Sequence, residues 1–232
     1  MRILVTRPVR DAEETAAKLI AHGHEAVIAP LLEIKLRSGA ELSLANIQAV
    51  LATSANGVRA LAPRTGRRDN PLLTVGAKSA QVARQFGFSN VRHADGDAAA
   101  LADLAIAELS PDKGALLHAA GLDTRGDLAG HLERAGFTLR LEILYDAIAA
   151  SALPQIAYDA LTSRLDGALF FSPRTAAIFA ALVQQGNLAA CCERVRAFCI
   201  SEATAAALRG LPFLSIEVAS RPNEDALLAL LG

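Results

Sequence analysis

The chain is predicted to be an α/β protein: two similar domains of parallel sheet flanked by helices, joined by a two-stranded connector, with a cleft between them. Three observations carry that expectation. Short apolar runs alternate with helical periods along all 232 residues, the pattern of parallel strands joined by crossover helices. Hydrophobic residues make up 52% of the chain and charged residues 20%, enough apolar material for a packed core. Finally, the chain repeats itself. Residues 3–34 match residues 116–147 at a shift of 113, which sets Gly23 opposite Gly136 and Leu19 opposite Leu132. VLATSANGVRAL parallels ALFFSPRTAAIF, with Ser54 opposite Ser172, and LLTVGAKSAQVA parallels AFCISEATAAAL, with Gly76 opposite Ser201 and Ser79 opposite Thr204. The period is domain-sized, too long for a solenoid.

In chain order, Ile3–Val5 reads as a buried strand followed by the loop Thr6-Arg7-Pro8. A helix is expected to start near Asp11, capped by its carboxylate, with Glu14 closing a capping box. Ala12, Ala16, Leu19 and Ile20 fall on one face of it, and Gly23 ends it as a left-handed cap. Further strands are expected at Glu25–Ala29, Ala49–Thr53, Leu72–Val75, Ala115–His118, Leu139–Leu144, Gly167–Phe171, Arg196–Ile200 and Ile216–Ala219, with helices between most of them. Asp146–Leu153 reads as an interdomain connector, and Leu32–Arg37 as the other crossing segment, so the two domains are expected to move relative to one another.

Composition excludes several functions. With 23 Lys and Arg against 24 Asp and Glu the net charge is −1, too little for a broad basic surface, so no nucleic-acid partner is expected. There is no apolar run long enough to span a membrane and no signal peptide, which points to a cytoplasmic protein. Cys191, Cys192 and Cys199 lack metal-site spacing and read as buried free thiols. No GxGxxG, GxSxG or HExxH occurs, and Gly121–Gly126 has P-loop glycine spacing with Asp127 where lysine is required. No metal and no cofactor is expected. His22 and His24 read as solvated, and His118 ends a strand.

The chemistry lies in the loops after the strands, where open α/β sheets bind ligands and helix N-termini present amides. These loops hold Thr6 and Arg7, then Ser54, Asn56 and Gly57, then Lys78, Gly121 and Arg125, and finally Ser172, Pro173 and Thr175 with Ser201 and Thr204. Each loop alone can be read as helix capping. Together they make a candidate surface for carboxylate or phosphate. A leucine at Gly57 or Ser172 is expected to block that surface and leave the fold intact. Tyr145, at the expected end of a strand, is either a phenol able to donate a proton or an amphipathic residue covering a hinge.

ILVTRP, HGHEAVIAPLLEI, TSANGVRAL, VGAKSAQVARQFGF, the strand ending at Tyr145 and FFSPRTAAIF, in that order and spacing, resemble the uroporphyrinogen-III synthase family over essentially the whole chain. The resemblance implies a discontinuous first domain (residues 1–34 and 148–232), a second domain (37–144), and connectors at 35–36 and 145–147. It implies cofactor-free cyclisation of the polycarboxylate hydroxymethylbilane with loss of water and inversion of the last pyrrole ring. Tyr145 would then assist departure of the hydroxyl group, the other loop residues would bind substrate, and the chain is expected to act as a monomer. Many members have an Arg-Gly pair where this chain reads Ala120-Gly121, which leaves Arg125, His118 or backbone amides alone to meet that carboxylate. The competing expectation is a non-catalytic module that binds a small carboxylate or sugar.

Overall fold

The structure is a computed structural model that describes residues 1–124 and 126–232. Its elements in order are β1 (Arg2–Val5), α1 (Val9–Ala21), β2 (Glu25–Ile28), β3 (Leu32–Leu36), β4 (Ile47–Ala52), α2 (Ala55–Leu61), β5 (Leu72–Thr74), α3 (Ala77–Gln85), β6 (Val91–His93), α4 (Ala98–Glu108), β7 (Ala115–Gly121) and α5 (Leu128–Arg134). Then follow β8 (Leu139–Ala149), α6 (Gln155–Thr162), β9 (Gly167–Phe170), α7 (Pro173–Gln185), β10 (Arg196–Cys199), α8 (Glu202–Ala206), β11 (Ser215–Val218) and α9 (Glu224–Leu228). Short 3₁₀ turns lie between some of them.

The chain divides into two compact units, Met1–Glu33 with Ile148–Gly232, and Ile34–Ala147, and it passes between them within β3 and within β8. The first unit has the parallel strand order β11-β10-β9-β1-β2. The second has β3-β8-β7-β4-β5-β6. Setting β4, β5 and β6 against β9, β10 and β11, and β7 and β8 against β1 and β2, makes the two orders coincide. The second unit is therefore a circular permutation of the first, and the repeat read in the sequence is a repeat of fold. Beyond this core, β3 borders β8, with the Arg37 amide donating to the Leu144 carbonyl (2.8 Å) and the Ala150 amide to the Leu31 carbonyl (3.0 Å). These bonds run in opposite senses along the two strands, an antiparallel pairing. The Arg37 guanidinium adds a two-pronged ion pair to Asp146 at 2.9 and 2.7 Å.

Strands covered on both faces must be apolar on both faces. In β1, Leu4 joins the cluster under α6, α7 and α8, while Ile3 and Val5 join the cluster under α1 and α9. In the second unit, α2 and α3 cover one face through Val58, Leu61 and Ala80, and α4 and α5 cover the other through Leu101 and Leu132. The repeated glycines explain themselves at the backbone. Gly23 (φ +78°) and Gly136 (φ +86°) follow α1 and α5 in the left-handed region, and the amides of His24 and Phe137 reach back to Leu19 and Leu132. That is the Schellman closure, which a side chain at the glycine would strain.

Three expectations are corrected. Helix α1 begins at Val9 after Pro8, with no side-chain cap, so Asp11 and Glu14 form no capping box; Asp11 is buried in the first turn and pairs with Arg7 at 3.6 Å. Proline already fixes the entry angle there, and it has no amide that needs a partner. Strand β8 continues to Ala149, so Tyr145 and Asp146 lie within a strand and not at its end or in a linker. Strand β7 likewise runs past His118 to Gly121.

Candidate active site

In a doubly wound sheet the strand order reverses at one place, and the loops there diverge to opposite faces, opening a crevice at the carboxyl ends of the strands. The second unit reverses between β4 and β7. The loops leaving those strands carry Ser54–Gly57 and Gly121, and the matching pair in the first unit, after β9 and β1, carries Ser172–Thr175 and Thr6–Pro8.

Tyr145 reaches the crevice of the second unit because β8 is irregular. Ala120 pairs with Ile143 but Gly121 pairs with Tyr145, so Leu144 is an extra residue bulged out of the ladder. In a regular strand successive side chains face opposite ways. Here Leu144 and Tyr145 both pack into the cluster under α2 and α3, so the bulge re-aims the phenol. The ring settles over Gly121, where a methyl group would come within 2.6 Å of Tyr145 Cζ. The phenol oxygen lies 3.0 Å from Ser54 Oγ. Ser54 is also the N-cap of α2, accepting the Gly57 amide at 3.1 Å. Gly57 lets α2 lie directly on β7, because any side chain there would collide with the Ala119 carbonyl oxygen. The expectation that Gly57→Leu blocks the surface without harming the fold is therefore corrected: the position is closed by packing, and its amide is taken by the cap.

Ser54, Gly57, Gly121 and Tyr145 thus come together, with Asn56 beside them accepting from Arg59 at 2.9 Å. Lys78, on the first turn of α3 after Gly76, stands on the neighbouring loop after β5. In the first unit Ser172 caps α7 through the Thr175 amide (3.1 Å) and meets the Thr175 hydroxyl (2.8 Å), with Pro173 as the first helical residue. Ser201 and Thr204 repeat this at α8, at 3.4 and 3.0 Å. Thr6 is buried and donates to the Leu169 carbonyl at 3.1 Å.

Two expected cations behave differently. Arg7 points inward: its guanidinium pairs with Glu224 at 3.0 Å, reaches Thr15 at 3.2 Å and stacks over Phe171 at 4.1 Å. Burial pushes the Glu224 carboxyl up, but hydrogen bonds from Lys18 and Thr15 and the charge of Arg7 outweigh burial and hold it below its ordinary value. Arg7 is thus built into a half-buried network joining α1 to α9. His118 supplies no cation. It is 5% exposed, and burial lowers it to about 4, so it is neutral at pH 7, with Nε2 lying 3.4 Å from Thr53 Oγ1. Arg125 lies outside the described residues. Burial also pushes the Cys192 and Cys199 thiols up to about 12, which makes them inert. Among the described residues no group of three or more His, Cys, Asp or Glu could hold a metal ion, and no helix is long and apolar enough to cross a membrane.

Fold and site together define a duplicated, doubly wound α/β protein whose strand-end loops are rich in hydroxyls and whose second unit offers a phenol–hydroxyl pair at its switch point. The family model for uroporphyrinogen-III synthase HemD matches residues 13–229, and the chain belongs to that family. Among solved structures, the uroporphyrinogen-III synthetase of Helicobacter pylori 26695 is similar in fold: TM-score 0.65, 18% identity, covering 100% of this chain and 98% of that one. A mutant uroporphyrinogen III synthase from the extreme thermophile Thermus thermophilus gives TM-score 0.56 at 18% identity, covering 100% and 97%. No curated protein matches the chain by sequence.

Proposed function

We propose that this chain performs the cyclisation step of haem biosynthesis, closing hydroxymethylbilane with loss of water and inversion of the last pyrrole ring to give uroporphyrinogen III, with Tyr145 handing a proton to the departing hydroxyl. Family membership across residues 13–229 carries the reaction. The Tyr145 phenol at the switch point of the second unit supports the residue assignment.

The chemistry asks little of the protein. Electron release from the terminal pyrrole nitrogen expels the hydroxyl group, so the reactive azafulvene forms readily. The larger task is orientation: holding the chain so that the correct pyrrole carbon attacks and simple closure is prevented. A phenol O–H is a hydrogen-bond donor with one proton to give. Because the chain carries net charge −1, the substrate carboxylates are taken locally. The groups proposed for them are, in the second unit, the Gly76–Ser79 loop with Lys78, and, in the first unit, the Ser172–Thr175, Ser201–Thr204 and Thr6 loops. The protein is proposed to act as a cytoplasmic monomer without a nucleic-acid partner.

The test is the isomer formed from freshly prepared hydroxymethylbilane. Type III product above the spontaneous type I background supports the reading. Folded protein that leaves the product type I favours a carboxylate- or sugar-binding module instead.

A further inference from the structure

We propose that Ser54 is the positioning residue that makes Tyr145 a proton donor, its hydroxyl donating to the phenol oxygen while its own oxygen accepts the Gly57 amide. The inference rests on the proposed proton-donor role of Tyr145 and deepens it.

Three features fix the phenol. The bulge at Leu144 turns Tyr145 toward α2, Gly121 clears the space under its ring, and Ser54 Oγ stands 3.0 Å from its oxygen. The hydrogen-bond inventory allows Ser54 to be the donor, either hydroxyl being placed to give its proton to the other. A serine hydroxyl has one proton and two lone pairs. Ser54 already accepts the Gly57 amide at 3.1 Å, and its proton is left to give. If Tyr145 donated to Ser54, the phenol proton would be tied up and unavailable to substrate. With Ser54 donating, the phenol oxygen is held and its proton projects outward.

The step balances in this arrangement. The bond between the terminal methylene carbon and oxygen breaks, and the pyrrole nitrogen lone pair supplies the electrons. The hydroxyl leaves with the Tyr145 proton as water, and the resulting phenolate is stabilised by the Ser54 O–H. The pyrrole N–H then returns a proton to the phenolate, which leaves a neutral azafulvene and restores Tyr145. A hydrogen bond to a charged oxygen is worth more than one to a neutral oxygen, so Ser54 assists most where charge develops.

Capping and proton donation can be separated by choice of variant. Glycine is tolerated at an N-cap almost as well as serine, whereas threonine keeps both the cap and the hydroxyl. In the full-length chain, Ser54→Gly is expected to lower kcat for type III product about tenfold with little change in KM, and Ser54→Thr to restore most of it. In a Tyr145→Phe background, Ser54→Gly is expected to cost almost nothing further. The proposal is overturned if Ser54→Gly turns over like the parent, if threonine fails to rescue, if the Ser54→Gly loss persists in full beside Tyr145→Phe, or if Tyr145→Phe itself is without effect. A parent chain that makes no type III product would instead overturn the proposed function, so the two failures are distinguishable.

Discussion

At Gly121 a single added methyl group would stand 2.6 Å from Cζ and 3.0 Å from the oxygen of Tyr145, so Gly121→Ala must displace the ring. Tyr145→Phe keeps the ring seated and removes only the phenol. Loss of general acid help costs about 10²–10⁴-fold, and the low end is expected because water can protonate a hydroxyl that leaves readily. Gly121→Ala should therefore slow type III formation at least as much as Tyr145→Phe, in steady-state assays of the two variants side by side. If Gly121→Ala is fully active, the ring is not held where the structure places it. His118 sets a second expectation. Burial lowers its pKa from 6.5 to about 4, so between those values the unfolded chain binds a proton that the folded chain refuses. Its contribution is whole above pH 6.5 and is lost as pH falls toward 4, by up to about 3 kcal/mol. Urea unfolding at a series of pH values should show a shallower acid decline for His118→Leu than for the parent. Equal declines would mean the imidazole is solvated.

Among the elements, α7 anchors the first unit through aromatic packing. Phe179 is fully buried, edge-on to Phe170 at 5.1 Å and stacked with Phe213 at 6.2 Å. Phe179→Ala should cost about 3–5 kcal/mol in chemical denaturation, the range for a buried aromatic whose cavity cannot collapse. A loss below about 1 kcal/mol would show that the site repacks. The same scale shows what a sequence can disclose. The long apolar runs of β1, β4, β7 and β9 and the periodic face of α1 were legible because local pattern and burial agree there. Strand β6, Val91-Arg92-His93, was not: three residues with one apolar side chain carry no period, and only pairing with β5 makes it a strand. The bulge at Leu144 was hidden for a related reason, since it exists only in the register between β7 and β8. The ion pair of Arg7 with Glu224 was not legible either, because the two residues lie 217 apart in sequence.

For the molecule as a whole, the internal repeat carried the most information, because it disclosed two copies of one sheet before either was seen. The structure added the permutation that relates them and the crossing of the chain within β3 and β8. The candidate residues on loops were legible as caps and hydroxyls. The place of Tyr145 depends on a strand irregularity and a glycine beneath its ring, which no local pattern encodes. The proposed reaction draws its driving force from the substrate's own pyrrole nitrogen, so chelation should leave the activity intact. The most direct measurement combines that expectation with the central claim: the ratio of type III to type I uroporphyrinogen from fresh hydroxymethylbilane, with purified chain and EDTA present. Predominantly type III product, falling toward the spontaneous type I ratio as the chain is diluted out, is the expected result. Type I product at every concentration of folded chain would contradict it.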